Sequence, residues 1–571
     1  MKFSPAPAIS ENIFKICEKL KFFHIDAKRI VCYRSTGSSS RAIARIWSLP
    51  KIWQDALKIK PHYVLEVISE KFDKQPEDEK IKILIHELCL PYEEPIVIKT
   101  NRGLNITNIG NLIENEFSRT KSTDTYGIYE WVSPSKDLRV LSFNIKKNCV
   151  EYAKITKMIR VKNNAKKILD IITKDGRKIS VTPDHPILYT MHGLSYEPPK
   201  SNLKVRTCPS SELSKLSGMP RLLELYKLPK WKKSISSIDI TKTQNFYKNI
   251  SNFNFSKSGR GKVFIDNLKI GRCGVKCAEI PILFKLDKEL GQFFGFYLSE
   301  GSIDHKSGAV SFSFHINETN FQKFIEKILI DRFHIKAKSR VLKGKKCTVV
   351  YAYSRLLQVL IRDIFGFGEK ARHKIIPPFV FSTPESFIAG LIDGWFAGDG
   401  TNFFDENGAV TLSAYSKSSS LIFGVLLLLA RLGIVCRLRR DMHDILIQSF
   451  FVPKFYKYCK LLIDAKNLSK KVLEIKRMRN EDRFRHLKYI RIRSIKERDC
   501  NDSYFYNLEV SPNNNFMHAC GLFTHNCHIP KNFSGAVLSH SRSQFDGAGG
   551  FVKKKIDARS VEKLFEEFKR N

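Results

Sequence analysis

Two short segments, far apart in the chain, each carry half of a metal-binding pattern. His86-Glu87-Leu88 ends one segment, and Cys527-His528-Ile529-Pro530 begins the other. Placed end to end they spell H-E-L-C-H-I-P, in which two histidines four residues apart on one helix hold zinc and the glutamate is a general base. The sequence therefore predicts a zinc-dependent hydrolytic site that is interrupted before it is complete.

The residues at the two ends of the interruption suit a segment that excises itself. The 438 residues from Cys89 to Asn526 begin with a thiol and end with His525-Asn526, directly before Cys527. A cysteine can take the acyl group of the preceding residue, because thiols are nucleophilic even when only partly ionised. Asparagine can cyclise onto its own carbonyl, and Cys527 offers a second thiol to receive the acyl group.

The amide leaving group in the acyl shift needs a proton donor. The stretch Val181-Thr182-Pro183-Asp184-His185 resembles the T-x-x-H block of inteins, in which Thr and His polarise the scissile amide. By this resemblance Thr182 and His185 take these roles, and general acid help of this kind is typically worth ~10²–10⁴-fold.

The end of the interruption also resembles an intein, in 506–510, 515–516 and 521–527. The resemblance spans all 438 residues and implies a thioester on Cys89, a branch on Cys527, and release by Asn526 with help from His525. Two positions depart from the family: Asn507 stands where many inteins carry Asp, and Asn514 where many carry His. These departures keep an alternative open, a DNA-binding protein with a degenerate, non-splicing intein and an inactive endonuclease.

Two apolar stretches within the interruption contain small residues and end in an acid followed by glycine, 293–301 and 392–400. Both resemble the LAGLIDADG motif of DOD-type homing endonucleases. The resemblance implies two helices packed backbone to backbone, with Glu300 and Asp399 side by side to hold Mg²⁺ and activate water. Lys374 resembles the basic residue before the second motif, which stabilises developing charge.

Two copies of the motif imply a pseudo-symmetric monomer. Strands near 309–315, 347–354, 409–414 and 435–440 are expected to form paired saddles over DNA, with Arg437, Arg439 and Arg440 as contacts. The formal charge of +40 favours a polyanionic partner. The expected partner is double-stranded DNA at the intein-free insertion site.

Without the interruption, the flanks form a host of 133 residues. Catalytic zinc usually has three protein ligands and a water. We expect His540 as the third, after His86 and His528, with Asp546 as the alternative. The pattern H-E-x-x-H-I-P, F-S-G and the stretch 34–47 resemble a family of small metallopeptidases known from prokaryotic and phage sequences. Glu87 is then the base, and the peptide or protein substrate stays unspecified.

Composition predicts a cytoplasmic protein without a membrane segment. The N-terminus lacks an apolar signal-peptide core, and the thirteen cysteines show no paired framework. The most apolar stretch, 421–430, is shorter than the roughly 20 residues needed to span a bilayer and predicts a buried helix that ends near Gly433. A basic scaffold without chemistry is the third hypothesis.

The elements that must position these residues define a multidomain fold: an all-β Hint splicing domain, an α/β LAGLIDADG endonuclease domain, and a small α+β zincin-like host split by the intein. The expected host parts are 1–88 and 527–571, and the splicing parts 89–227 and 466–526. A linker or accessory region covers 228–279 and the endonuclease 280–465. Within the host, the pattern predicts a helix over 41–58, a strand over 63–68, and a helix from Pro76 that Cys89-Leu90-Pro91 ends.

Overall fold

The structure is a computed structural model. It describes residues 2–7, 9–10, 30–36, 44–48, 63–68, 90–100, 103–120, 123–126, 129–163, 167–183, 185–191, 205–216, 220–229, 234–243, 246, 263–265, 269–272, 280–405, 408–475 and 487–525. Among these residues, no helix combines the length and the apolar character required to cross a membrane.

The described strands that precede Lys288 are given first, in chain order. They are β1 (Lys2–Pro5), β2 (Ile30–Thr36), β3 (Ala44–Ser48), β4 (Tyr63–Ile68), β5 (Pro95–Thr100), β6 (Gly103–Asn108), β7 (Asp124–Tyr126), β8 (Tyr129–Val132), β9 (Arg139–Asn144), β10 (Cys149–Lys162), β11 (Lys167–Thr173), β12 (Lys178–Val181), β13 (Pro186–Thr190), β14 (Arg206–Pro209), β15 (Arg221–Leu225), β16 (Ser237–Asp239), β17 (Val263–Ile265), β18 (Lys269–Arg272), β19 (Ile280–Pro281) and β20 (Leu283–Lys285). Helix α1 (Ile109–Phe117) follows β6.

The remaining elements alternate helices with strands and then return to strands. In chain order they are α2 (Lys288–Glu300), β21 (Gly301–Asp304), β22 (Ala309–His315), α3 (Thr319–Phe333), β23 (Lys338–Val341), β24 (Cys347–Tyr353), α4 (Arg355–Val359), α5 (Glu385–Asp399), β25 (Gly400–Phe404), β26 (Val410–Tyr415), α6 (Ser419–Arg431), β27 (Arg437–Arg439), β28 (Asp444–Ile447), α7 (Val452–Tyr458), α8 (Leu461–Ala465), α9 (Ser469–Glu474), β29 (Leu487–Asp499), β30 (Tyr504–Ser511), β31 (Asn515–Met517) and β32 (Phe523–His525).

The N-terminal sheet has the order β1-β2-β4-β3, with β2 and β4 parallel. The predicted strand over 63–68 is confirmed as β4. The predicted helix over 41–58 is wrong at 44–48, because β3 pairs antiparallel with β4. Ile46 and Trp47 favour strands, and sheet pairing overrides the helical spacing of the segment.

The β-rich region consists of two larger sheets, whose strands come from before and after the central region, residues 280–465. One has the order β6-β5-β9-β10-β8-β7, with β30 on β10. The other has the order β12-β11-β29-β15-β13-β32-β31, with β14 on β13. Strands β29, β30 and β32, which follow the central region, therefore pair with strands that precede them by hundreds of residues. This pairing closes the domain.

Two units of the central region share one order of elements, helix-strand-strand-helix-strand-strand. Their sheets run β21-β22-β24-β23 and β25-β26-β28-β27, which is the same topology twice. Helices α2 and α5 pack at their backbones: a Cβ on Gly295 would lie 2.3 Å from the Leu391 carbonyl oxygen, and one on Gly394 would lie 2.3 Å from that of Gln292. The predicted apolar helix over 421–430 is confirmed as the buried face of α6.

The region expected as a linker or accessory segment contributes short strands. Strand β16 pairs with β20, and β17 and β18 form a small sheet with β19.

The central region packs closely against the two larger sheets. A Cβ on Gly103 of β6 would lie 1.8 Å from the Pro378 carbonyl oxygen, and Leu438 N donates to the Asp175 carbonyl at 2.8 Å.

Candidate functional site

Thr182 and His185 lie in a buried turn between β12 and β13. The His185 amide donates to the Thr182 carbonyl at 3.0 Å, and the Ser210 hydroxyl donates to the same carbonyl at 2.8 Å. Pro183 suits such a turn because its φ angle is fixed. The His185 ring is fully buried, and its Nε2 lies 2.5 Å from Thr524 Oγ1. The T-x-x-H pair is therefore directly against the strand that ends at His525.

Backbone pairing holds the described residues at both ends of the 438-residue segment. Leu90 N donates to the Tyr506 carbonyl at 2.8 Å, and Tyr506 N donates to the Leu90 carbonyl at 2.7 Å. At the other end, Thr524 in β32 pairs with Ile187 in β13. Cys89 is bonded to Leu90, and Asn526 to His525. Cys89, Asn526 and Cys527 themselves lie outside the described residues.

A buried contact that the sequence does not suggest joins the same segments. The Glu94 carboxylate lies 2.8 Å from His518 Nδ1, and it accepts a hydrogen bond from Ser180 N at 3.1 Å. Glu94 follows the first junction, Ser180 precedes the T-x-x-H turn, and His518 precedes the second junction. No local pattern predicts this contact, because its residues are 424 and 86 positions apart.

The two positions that depart from the intein pattern differ in environment. Asn507 is fully buried in β30, and its Oδ1 accepts from Leu508 N at 2.7 Å. Asn514 has a positive φ of 56° in the turn between β30 and β31, a conformation that asparagine tolerates better than most residues. Asn507 therefore lies one position from Tyr506, the partner of Leu90, whereas Asn514 shapes a turn.

Glu300 and Asp399 end the paired helices α2 and α5, as their motifs predicted. A Cβ on Gly398 would lie 2.9 Å from Glu300 Oε1, so the absence of a side chain there leaves room for the carboxylate. Among the described residues, no group of three or more His, Cys, Asp or Glu could hold a metal ion.

Burial perturbs the ionisation of this centre. It raises the pKa of Glu300 to about 7, with the charge of Asp399 adding to the shift. Burial also raises the pKa of Asp399 to about 6, against the opposing effect of Lys374. Lys374 itself has a pKa lowered to about 8 by burial. Perturbed groups that interact in this way are typical of catalytic centres.

The Lys374 side chain is buried and does not face open space. Its Nζ donates to the carbonyls of Tyr297, Leu298 and Gly301 at 2.8, 3.1 and 2.7 Å. These carbonyls form the C-terminal end of α2, where a cation is favourable. Lys374 therefore fixes the helix end that carries Glu300.

The three arginines predicted to contact DNA lie on or beside strand β27, and their side chains are exposed. Arg439 Nη2 lies 2.9 Å from the buried Asp444 carboxylate, and Arg440 Nε lies 4.0 Å from it. Arg437 lines a cavity of about 120 Å³ between the two regions of the chain, with six further polar side chains: Lys174, Asp175, Gln448, Lys488, Tyr489 and Arg491.

The predicted zinc residues of the host, His86, Glu87, His528 and His540, lie outside the described residues, as does Asp546. Upstream of them, the structure describes only the small sheet β1 to β4 and Ala6–Ser10 in part. The zinc site therefore stays a prediction.

Comparison with curated proteins gives relatives of low identity. The chain is 26% identical over 384 residues to the DNA-directed RNA polymerase subunit Rpo1C of Methanocaldococcus jannaschii, covering 66% of this chain and 40% of the relative. It is 23% identical over 384 residues to the DNA polymerase II large subunit of Thermococcus kodakarensis, covering 61% and 20%. The chain thus spans less than half the length of these relatives.

Solved structures give fold likenesses of low score. A transcription factor IIB Mvu mini-intein has a TM-score of 0.21 at 22% identity, covering 25% of this chain and 72% of its own. I-DmoI in complex with its target DNA has a TM-score of 0.23 at 15% identity, covering 30% and 94%. TM-scores this low carry no argument about the fold.

Two family models match the sequence in adjoining ranges. The phage metallopeptidase family matches residues 1–93, so the first segment is similar to that family. The intein splicing domain family matches residues 97–526, three quarters of the chain. This match agrees with the buried Thr182–His185 turn and with the paired ends of the β-rich region. The chain belongs to the intein splicing domain family.

Proposed function

We propose that the chain is a precursor that splices itself, releasing the segment Cys89–Asn526 and joining the two flanks into one protein. The observation that carries this proposal is that residues at both ends of the segment are paired within one β-rich region. Leu90 pairs with Tyr506, Thr524 pairs with Ile187, and His185 Nε2 contacts Thr524 Oγ1. A segment whose ends are held together in this way is arranged to exchange bonds between them.

The proposed reaction begins at Cys89. Its sulfur attacks the Leu88 carbonyl, the Leu88–Cys89 peptide bond becomes a thioester, and the freed amine of Cys89 takes a proton. The proposed polarising residues are Thr182 and His185, which lie in the buried turn that Ser210 holds. The Cys527 sulfur then attacks the thioester, so the first flank moves to Cys527 and the Cys89 thiol is released.

The second cleavage uses Asn526. Its side-chain amide nitrogen attacks its own backbone carbonyl, a succinimide ring forms, and the bond to Cys527 breaks. His525, next to Asn526, assists by proton transfer to the leaving amine. The acyl group finally moves from sulfur to nitrogen on Cys527, which leaves an ordinary Leu88–Cys527 peptide bond.

We also propose that the central region is a metal-dependent DNA endonuclease of LAGLIDADG type that acts as a monomer on the intein-free insertion site. Support comes from the two units of equal topology and from the carboxylates that end α2 and α5. Bound Mg²⁺ would supply Lewis-acid stabilisation of the scissile phosphate and an activated water. The residues that would hold it are Glu300 and Asp399, and Lys374 holds the end of the helix that presents Glu300.

DNA contacts are proposed for the basic surface beside β27. Arg437 shares a cavity with Lys174 and Arg491, which come from the splicing region. Arg439 and Arg440 are neutralised in part by Asp444, so their expected role is to position DNA by backbone phosphates. Phosphate contacts of this kind release counterions and depend on salt.

The alternative, a DNA-binding protein with a degenerate intein that neither splices nor cuts, rests on Asn507 and Asn514. An amide at 507 cannot ionise as the aspartate of many inteins does. In this case the junction variants would leave the size of the chain unchanged.

The splicing proposal predicts distinct products from two junction variants. Cys89→Ala removes the first nucleophile, so ligation should stop while cleavage after Asn526 continues in part. Asn526→Ala should leave the segment attached to the second flank. Denaturing gels and intact masses of both variants measure this. Ligated 133-residue host in both variants would contradict the mechanism.

The nuclease proposal predicts that Glu300→Gln and Asp399→Asn each abolish Mg²⁺-dependent cutting of DNA that spans the intein-free site. Binding should persist and weaken with salt, because the basic surface is unchanged. Cutting is measured on supercoiled DNA and binding by titration of labelled DNA. The matched control is Asp464→Asn, outside the helix pair. Cutting that survives in the double variant would place the catalytic acids elsewhere.

Because the pKa values of Glu300 and Asp399 are raised, the folded protein should become less stable as the pH increases when no metal is bound. Unfolded carboxyls ionise near pH 4, whereas the folded pKa is about 7 for Glu300 and about 6 for Asp399. Between these values the folded chain binds more protons, so its stability decreases as pH rises toward neutrality. Glu300→Gln should then raise the unfolding free energy near pH 8 by about 1–3 kcal/mol.

Denaturant unfolding in EDTA, at a pH near 8 and again near 5, measures this change. The exposed Glu474→Gln variant is the control. The gain from Glu300→Gln should shrink at the lower pH, where the buried carboxyl is protonated in the wild-type protein. An equal gain at both values would show that the variant acts through packing.

For the host, we propose a zinc metallopeptidase of unspecified peptide or protein substrate that is inactive until splicing. In the precursor, Pro91 follows Glu87 closely, so the helix cannot run on to His528. Splicing would bring His86, His528 and His540 into one continuous segment with Glu87 as the base.

The spliced host is expected to bind one Zn²⁺ and to cleave peptide. The unspliced precursor that carries both Cys89→Ala and Asn526→Ala is expected to bind zinc less tightly and to cleave peptide more slowly. Zinc is measured after dialysis, with casein digestion as the activity assay. Spliced host with Glu87→Gln should keep zinc and lose cleavage. A precursor that binds zinc tightly and cleaves peptide as fast as the host would overturn the proposal that splicing activates the host.

A further inference from the structure

Arg177 is a fully buried cation at the meeting point of three parts of the chain. It follows the turn between β11 and β12, and its side chain donates in three directions. Nη1 donates to the Cys520 carbonyl, Nη2 donates to the Cys436 carbonyl at 3.0 Å, and Nε donates to the Asp175 carboxylate at 2.9 Å. Cys520 precedes the second splice junction, and Cys436 belongs to the nuclease-like region.

A balanced charge cluster fixes the guanidinium. Arg177 Nη2 lies 2.5 Å from Glu224 Oε1, and Lys488 Nζ lies 2.8 Å from the same oxygen and 3.4 Å from Asp175 Oδ2. Burial alone would raise the pKa of Asp175, but the charges of Arg177 and Lys488 hold it below its ordinary value. Two cations thus face two carboxylates in the interior, where breaking one pair is costly.

The Cys520 carbonyl belongs to the turn of the hairpin β31–β32, which ends at His525. Two further bonds tether this turn: Leu225 N donates to the Gly521 carbonyl and Ala519 N to the Pro95 carbonyl, each at 2.8 Å. Gly521 has a φ of +91°, and a Cβ there would lie 3.2 Å from Arg177 Nη1. The turn therefore packs directly on the guanidinium.

We propose that Arg177 is a positioning residue for the C-terminal step of splicing, fixing the hairpin that presents Asn526 for cyclisation. This inference rests on the proposed splicing function. Cyclisation requires the Asn526 amide nitrogen to approach its own carbonyl in one geometry, and small displacements of reacting groups cost large factors in rate. The N-terminal step depends on Thr182 and His185, whose turn is held by Ser210.

The two half-reactions can be measured separately in the full 571-residue chain. In a Cys89→Ala background, the rate of release of the 45-residue C-terminal flank reports Asn526 cyclisation. In an Asn526→Ala background, dithiothreitol cleaves the thioester and releases the 88-residue N-terminal flank. Arg177→Met should slow the first rate about tenfold or more and change the second less than about threefold.

Lys488→Met is the matched control, because it removes one cation from the same cluster and leaves the bond from Arg177 to Cys520 in place. It should retain C-terminal cleavage within about threefold of the parent. If Arg177→Met slows both half-reactions equally, the effect is a general one on folding, and the role of Arg177 is overturned. The same holds if Lys488→Met slows C-terminal cleavage as much as Arg177→Met does. Absence of either half-reaction in the parent chains would overturn the proposed splicing function itself and this role with it.

Discussion

The β-rich region is closed by backbone pairing between residues near the start and residues near the end of the 438-residue segment. Leu90 exchanges two hydrogen bonds with Tyr506, and Ile96 bridges His518. Glu94 and His518, 424 positions apart, add a buried side-chain contact between the same two parts of the chain. The entropy cost of closing a loop grows only with the logarithm of its length, about 0.6 kcal/mol per doubling. The domain can therefore accept a large insertion once its end strands are paired.

The insertion packs directly against the splicing region. Glycines at Gly103 and Gly176 allow backbone contacts that any side chain would block. Arg177 connects the nuclease-like region to the hairpin before the second junction through the carbonyls of Cys436 and Cys520. The two regions thus share buried charge, and the basic cavity beside Arg437 is lined from both. One folded unit holds both proposed chemistries.

Local sequence patterns predict those features that depend on nearby residues. The strand Tyr63–Ile68 and the helices that end at Glu300 and Asp399 are of this kind. The helix predicted over 41–58 was wrong at β3, because pairing with β4 decides the conformation there.

Other features could not be predicted because they depend on distant partners. The Glu94–His518 contact and the cluster around Arg177 require strands that only the closed domain brings together. Lys374 was expected as a cation at the scissile phosphate, and its three bonds to carbonyls at the end of α2 emerge only from the packing of the helices. The junction residues themselves and the zinc residues of the host remain predictions from sequence.

Mass spectrometry of the expressed wild-type protein tests most directly whether the chain cuts and rejoins itself. Splicing should give two species, of 438 and 133 residues, together with a proteolytic peptide in which Leu88 is bonded to Cys527. A single species of 571 residues, with no peptide that joins Leu88 to Cys527, would contradict it.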